Sequence, residues 1–251
     1  MKQLTEQLAR AIVRPRSRNT YKGSFGKILI IGGNAQYGGA AIMSASAAVY
    51  TGAGLVSVAT NPVNRSALHA RLPEAMILDA STSALETAIH QATVIVVGPG
   101  LGTDTTALKI LKRVFAAVSQ AQVLIIDSSA ITLVAAHHLA YPQAQLIWTP
   151  HQVEWQRLSG LALAAQTIEA SQQAAAKIPG IIIAKSAQTH VFIGNEIYAN
   201  TAGGPAMATG GSGDTLTGII AAFAGQFHPL TQAVLAAVSY THLRAHETCA
   251  D

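Results

Sequence analysis

Short aliphatic and β-branched runs recur along the chain: KILII at 27–31, LVSVAT at 55–60, AMILDA at 75–80, TVIVVG at 93–98, QVLIID at 122–127, AQLIWT at 144–149 and IIIAK at 181–185. Alanine-rich stretches with helical character separate them. Near-continuous apolarity within a short run marks a strand covered on both faces, the situation of a parallel sheet flanked by helices. The pattern therefore predicts an α/β doubly wound fold with a mostly parallel central sheet and helices on both faces. Toward the end, THVFIGNEIYAN at 189–200 divides into two runs around Gly194 and Asn195, a hairpin signal that adds antiparallel strands near the C-terminal edge. No repeat, low-complexity tract or linker interrupts the alternation, so residues 27–238 read as a single α/β domain.

Composition agrees with one large domain: half of the 251 residues are apolar and few are aromatic. The twenty uncharged positions at 40–59 are too rich in Ala, Ser, Gly and Thr for a membrane span, and Gly52 and Gly54 divide them into a helix and a strand. No secretory signal is visible, and a cytoplasmic protein is expected.

The net charge of +4 changes meaning once it is located. Residues 1–27 hold seven of the sixteen Lys and Arg and only one acid, Glu6, leaving a net charge of −2 on the remainder. That distribution excludes the basic face of a nucleic-acid binder and confines positive charge to an N-terminal arm or helix at 1–26, expected to be a solvated terminus or a contact for an acidic partner. The single cysteine, Cys249, excludes a disulfide within the chain, and the nine histidines, among them His137 and His138, show no metal-ligand spacing.

Ligands of doubly wound sheets bind beyond the carboxyl ends of the strands. The first such segment, GGNAQYGGAA at 32–41, is glycine-rich but lacks the Lys-Ser/Thr pair of a Walker A loop. In VGPGLGTDT at 97–105 the glycines are 98, 100 and 102; a dinucleotide fingerprint needs its third glycine where Thr103 stands, although Asp127 follows at a tempting distance. TPHQVEWQRL at 149–158 sets His151 and Glu154 at a helix start near Pro150, where Glu154 suits a capping box and His151 a hydrogen-bonded structural role.

MATGGSGDTLTG at 207–218 is the most informative segment, with four glycines around the start of a predicted helix. Glycine lets an anion approach the backbone, and the amides of Gly210, Gly211, Ser212 and Gly213 would converge at the positive end of that helix. Asp214 falls in the first turn, where the dipole and amides are expected to favour its ionised form. A carboxylate beside an anion hole can align a hydroxyl and take its proton during phosphoryl transfer.

These residues bring the chain close to a known group. The GSGD at 211–214 matches the hallmark of ribokinase-like proteins, and the chain more narrowly resembles the ADP- or ATP-dependent (S)-NAD(P)H-hydrate dehydratases. The resemblance covers about Tyr21 to Val238 and includes YKGSFGKILIIGG, GGAA, TGAGLVSVAT, VGPGLG, TPHQVE, AKSAQT and NTAGGPAMATGGSGDTLTG. It implies a ribokinase-like fold, substrate contacts from Ala40, Gly100, His151 and Asp214, and an adenine nucleotide held by Lys185, Ser186, Ala187, Gln188 and Thr189 together with Gly211, Ser212 and Gly213. It further implies ADP or ATP as phosphoryl donor with Mg²⁺, NADHX or NADPHX as substrate, and Asp214 as the base that accepts the C6 hydroxyl proton. Phosphorylation turns that hydroxyl into a good leaving group, which the ring nitrogen lone pair expels to restore the dihydronicotinamide.

A kinase of a vitamin precursor of the hydroxyethylthiazole or hydroxymethylpyrimidine type would share the Asp214 hole, and a non-catalytic nucleotide-binding regulator would not need it. A homo-oligomer, with a tetramer as its expected size, and functional pairing with an NAD(P)H-hydrate epimerase complete the expected partners. Gln152 and Val153 stand where the family usually has Pro-Gly, and Gly204 where it often has Asn. The closing string VSYTHLRAHETCAD resembles translated sequencing-adapter read-through, so 239–251 is expected to be a non-native tail.

Overall fold

The computed structural model describes residues 1–80, 82–200, 202–203 and 208–247, with side chains to 241. Its ten strands are β1 (Lys2–Leu4), β2 (Lys27–Ile31), β3 (Leu55–Thr60), β4 (Met76–Asp79), β5 (Val94–Val97), β6 (Val123–Ile126), β7 (Gln145–Trp148), β8 (Ile181–Ala184), β9 (His190–Ile193) and β10 (Glu196–Asn200). They form one sheet in the order β1-β10-β9-β8-β7-β6-β5-β2-β3-β4. β2 to β8 are mutually parallel, whereas β9 runs antiparallel to both β8 and β10, in agreement with the hairpin signal.

Alternation along the buried strands divides the core into two layers. Ile28, Ile30, Val94, Val96, Val123 and Ile125 face one layer, shared with α1 (Glu6–Ile12), α2 (Gly38–Tyr50), α3 (Arg65–Arg71), α9 (Ser212–Gln226) and α10 (Leu230–Glu247). Leu29, Ile31, Ile95, Val97, Leu124 and Ile126 face the other, with α4 (Ala84–Gln91), α5 (Thr105–Ala117), α6 (Ser129–His137), α7 (Gln152–Ser159) and α8 (Ile168–Ala175). Each fully buried aliphatic side chain contributes roughly 1.5–3 kcal/mol relative to exposure, which explains why these runs read so clearly in the sequence. No helix among the described residues is long and apolar enough to cross a membrane.

Small residues set the depth of the α2–α9 packing. A Cβ on Gly218 would lie 2.1 Å from the Ser44 carbonyl oxygen, so only glycine allows this approach. The contact brings the N-terminal halves of both helices to the same end of the sheet, beyond the carboxyl ends of β2 and β5.

The structure corrects the reading of the chain's start as a solvated terminus. Leu4 and Ala9 are buried, β1 pairs in parallel with β10, and α1 packs on α10. Packing also continues past residue 238: Ser239 and Thr241 are buried, Ser239 Oγ donates to the Thr5 carbonyl at 3.3 Å, and the Tyr240 and Phe223 rings lie 5.8 Å apart. Gly204, Met207 and Cys249 lie outside the described residues.

Candidate active site

The loops after β2 and β5 interlock. Gly33 N–H donates to the Pro99 carbonyl at 2.8 Å and Asn34 N–H to the Gly100 carbonyl at 2.7 Å. Asn34 Oδ1 turns back to accept from the Gln36 and Tyr37 amides, shaping the entry to α2. Gly100 has φ +61°, and a Cβ there would lie 2.2 Å from the Tyr37 carbonyl oxygen and 3.1 Å from Ala40 Cβ. Two expected substrate contacts, Ala40 and Gly100, are thus side by side. Ala40 stands one helical turn before Ser44, whose hydroxyl donates to the Asp214 carbonyl at 2.8 Å and links this corner to α9.

At the next strand ends, Lys185 N–H donates to the Pro150 carbonyl at 2.8 Å, so His151 and Lys185 form a short parallel bridge. His151 is the N-cap of α7. Its Nδ1 accepts from the Val153 and Glu154 amides at 3.1 and 3.4 Å, while Glu154 Oε2 accepts from the His151 amide at 2.8 Å. The capping box expected of Glu154 is present, and it leaves Gln152 and Val153 in the first turn without disturbing the cap. With Nδ1 occupied as an acceptor, Nε2 carries the proton and faces Glu154 Oε1 at 3.1 Å. Burial, reinforced by the Lys185 charge, lowers the His151 pKa and keeps the ring neutral. Half of its side chain remains exposed, so the cap and a ligand-facing role coexist.

Gly211 is the N-cap of α9, and its φ of +90° gives the left-handed turn that glycine adopts without strain. Gly211 packs so tightly on α2 that a Cβ would come within 2.2 Å of Met43 Sδ. A Cβ on Gly213 would lie 3.2 Å from Lys185 Nζ, which therefore reaches the first turn of α9. Asp214 is half-buried in that turn. Its charge state departs from the expectation that the helix start would favour ionisation: burial and the neighbouring Asp127 carboxylate push its pKa up to about 6, against the opposing pull of Lys185. It remains largely ionised at neutral pH, with a proton affinity better matched to general-base work than that of an ordinary aspartate.

Sequence reasoning did not assign Asp127 to the site. Fully buried at the end of β6, it accepts from Thr149 Oγ1 at 2.7 Å, from Lys185 Nζ at 2.9 Å and from Thr217 Oγ1 at 3.0 Å. Removing one partner of such a buried pair typically costs about 3–5 kcal/mol. For Lys185, burial alone would lower the pKa, but Asp127, Glu154 and Asp214 together raise it and hold the ammonium charged. Ser128, the next residue, has φ +49°, an unusual conformation for a side-chain-bearing residue that costs on the order of 1–3 kcal/mol. The signal available in sequence was an acid directly after a buried strand; its three partners lie 22 to 90 positions away.

The rest of the 185–189 segment forms a turn. Ser186, Ala187 and Gln188 are exposed, whereas Thr189 is buried and its side chain bonds within the turn. The structure thus gathers Ala40, Gly100, His151, Lys185, Gly211, Ser212, Gly213 and Asp214 at one end of the sheet, with Ser186 to Gln188 at the rim beside Lys185.

The family model for NAD(P)H-hydrate dehydratase matches residues 28–251. The ADP-dependent (S)-NAD(P)H-hydrate dehydratase of Lactiplantibacillus plantarum is 48% identical over 239 residues, covering 95% of this chain and 85% of its own. The crystal structure of a ribokinase-like superfamily protein from Enterococcus faecalis superposes with a TM-score of 0.96 at 44% identity, covering 98% of this chain and 88% of its own. The ADP/ATP-dependent NAD(P)H-hydrate dehydratase from Bacillus subtilis, co-crystallized with ATP/Mg²⁺, gives a TM-score of 0.86 at 26% identity over 98% of this chain and 89% of its own.

Proposed function

The chain belongs to the NAD(P)H-hydrate dehydratase family, and on that premise we propose that it repairs hydrated nicotinamide nucleotides, converting (6S)-NAD(P)H hydrate to NAD(P)H with ADP as phosphoryl donor. The observation that carries this reading is the meeting of a raised-pKa carboxylate, Asp214, with the Lys185 ammonium at a glycine-rich helix start. Asp214 takes the proton of the C6 hydroxyl as its oxygen attacks the β-phosphorus of ADP, and AMP leaves. The first amides of α9 and the Lys185 charge hold the phosphoryl oxygens during transfer, in a pocket where preformed dipoles need no reorganisation. The hydroxyl has then become a phosphate ester; the ring nitrogen lone pair expels phosphate, and loss of the C5 proton restores the dihydronicotinamide.

The donor set suits a nucleotide's phosphates, because Gly213 presents backbone without a side chain at a helix start and the Lys185 ammonium stands beside it, 3.2 Å from where a Cβ would lie. Mg²⁺ bound with the nucleotide would screen phosphate charge. Among the described residues no group of three or more His, Cys, Asp and Glu could hold a metal, and magnesium is ordinarily carried by substrate phosphates with one or two carboxylates. The neutral His151, with Ala40 and Gly100 on the opposite side of Asp214, orients the nicotinamide nucleotide, and the exposed Ser186 to Gln188 turn contacts the adenine nucleotide. A cytoplasmic, homo-oligomeric enzyme paired with an epimerase completes the proposal, since a catalyst for one C6 epimer leaves the other unrepaired.

Product analysis separates this reading from a vitamin-precursor kinase. AMP and phosphate should appear in step with restored NADH, with no phosphorylated nicotinamide product accumulating. A stable phosphorylated product, or turnover of hydroxyethylthiazole in place of the hydrate, would favour the kinase.

A further inference from the structure

Asp127 is more elaborately held than a stabilising residue needs to be. A buried ion pair seldom adds more stability than apolar side chains of similar volume. Here the carboxylate instead ties together three segments that carry the site. Thr149 comes from the end of β7, Lys185 from the end of β8, and Thr217 from α9, one turn after Asp214 and on the same face. The backbone is shaped around it: Ser128 has φ +49°, and a Cβ on Gly98 would lie 1.8 Å from the Asp127 carbonyl oxygen.

We propose that Asp127 is a positioning residue for phosphoryl transfer, clamping the Lys185 ammonium and the first turn of α9 in fixed relation to Asp214; this rests on the dehydratase reading above. The clamp leaves Lys185 Nζ facing Gly213 rather than free to pair with Asp214, so the base keeps an unneutralised carboxylate while a cation stands ready for the phosphoryl group. Two charged groups act on Asp214: Asp127 from β6 and Lys185 from β8. From α7, Glu154 acts on Lys185, whose charge in turn helps keep His151 neutral, and α2 contributes the uncharged Ser44 hydroxyl. Asp127 strengthens the hold of Asp214 on its proton and Lys185 weakens it, so removing each charge must move the base in opposite directions.

The test is carboxyl ¹³C NMR of the full chain labelled at aspartate. Only five aspartates contribute, at 79, 104, 127, 214 and 251, and the Asp214 resonance is identified by its loss in Asp214→Asn. Its titration midpoint should fall in Asp127→Asn and rise in Lys185→Met, each by roughly half a pH unit or more. In parallel, Asp127→Asn should lower kcat about 10- to 100-fold with KM for the hydrate within a few-fold, and the double variant should be no slower than Lys185→Met. Opposite shifts with that kcat effect uphold the clamp. Midpoints unmoved, or moved in the same direction, overturn it, as does a kcat loss that tracks the melting temperature alone. If Asp127→Asn does not fold, the sign of the Lys185→Met shift decides. An inactive wild type would sink the dehydratase reading while the titrations still judge the clamp.

Discussion

Lys185 Nζ stands 2.9 Å from Asp127 Oδ1 and at the same time against the backbone of Gly213, so one ammonium joins a buried carboxylate to the start of α9. Charge, backbone and base are therefore coupled at one point, and a change in any of them is felt by the other two.

The acid limb of the kcat profile should lie near pH 6. Asp214 must be ionised to accept a proton, and its pKa is pushed up to about 6 by burial and by Asp127. A profile of rate against pH for hydrated NADH with saturating ADP checks this; a limb near pH 4 would indicate an ordinary exposed carboxylate.

Asp214→Asn should stabilise the fold at neutral pH. A carboxyl whose pKa rises from 3.8 to about 6 on folding favours the folded state fully only below the unfolded value, and loses that contribution as pH climbs through about 6. The amide removes the penalty of the half-exposed carboxylate, a gain of roughly 1–2 kcal/mol after allowance for solvent screening, or about 2–6 °C in melting temperature at pH 7.5. At pH 4 the two proteins should melt almost together.

His151→Asn separates the two roles of His151. Asparagine is a good N-cap, so α7 and the melting temperature should be retained, whereas His151→Ala should lose about 0.5–2 kcal/mol. Both variants should raise KM for the hydrate several-fold if the imidazole orients substrate. An unchanged KM would confine His151 to capping.

Much of the fold is legible in the amino-acid sequence. β2 and β5 to β8 can be read there because burial on both faces leaves an uninterrupted apolar run, as in Val94–Val97, whereas the edge strand β4, with Met76 exposed, is only partly covered. β1 cannot: three residues, Lys2–Leu4, carry no periodicity, and their strand identity comes from β10, nearly 200 positions away. The glycine-rich start of α9 and the acid within it are visible for the same local reason, that both lie in one short segment. Asp127 and the raised proton affinity of Asp214 stay hidden because burial and distant partners create them.

Ending the chain after residue 238 should lower the melting temperature by several degrees. The truncation removes buried Ser239 and Thr241, the Tyr240–Phe223 ring contact and the bond to Thr5, of order 1–2 kcal/mol in all. Differential scanning calorimetry of the two lengths checks it; equal melting temperatures would bear out the expectation that 239–251 is a non-native tail.

The most direct measurement follows dihydronicotinamide absorbance after mixing hydrated NADH with enzyme, with and without ADP and Mg²⁺, for wild type and Asp214→Asn. Absorbance should return only with the nucleotide, and ADP should serve at least as well as ATP. Asp214→Asn should be slower by about 10²- to 10⁴-fold while still binding ADP, because loss of a general base removes transition-state rather than ground-state stabilisation. Recovery without any nucleotide, or turnover by Asp214→Asn within a few-fold of wild type, would contradict phosphorylation with Asp214 as its base.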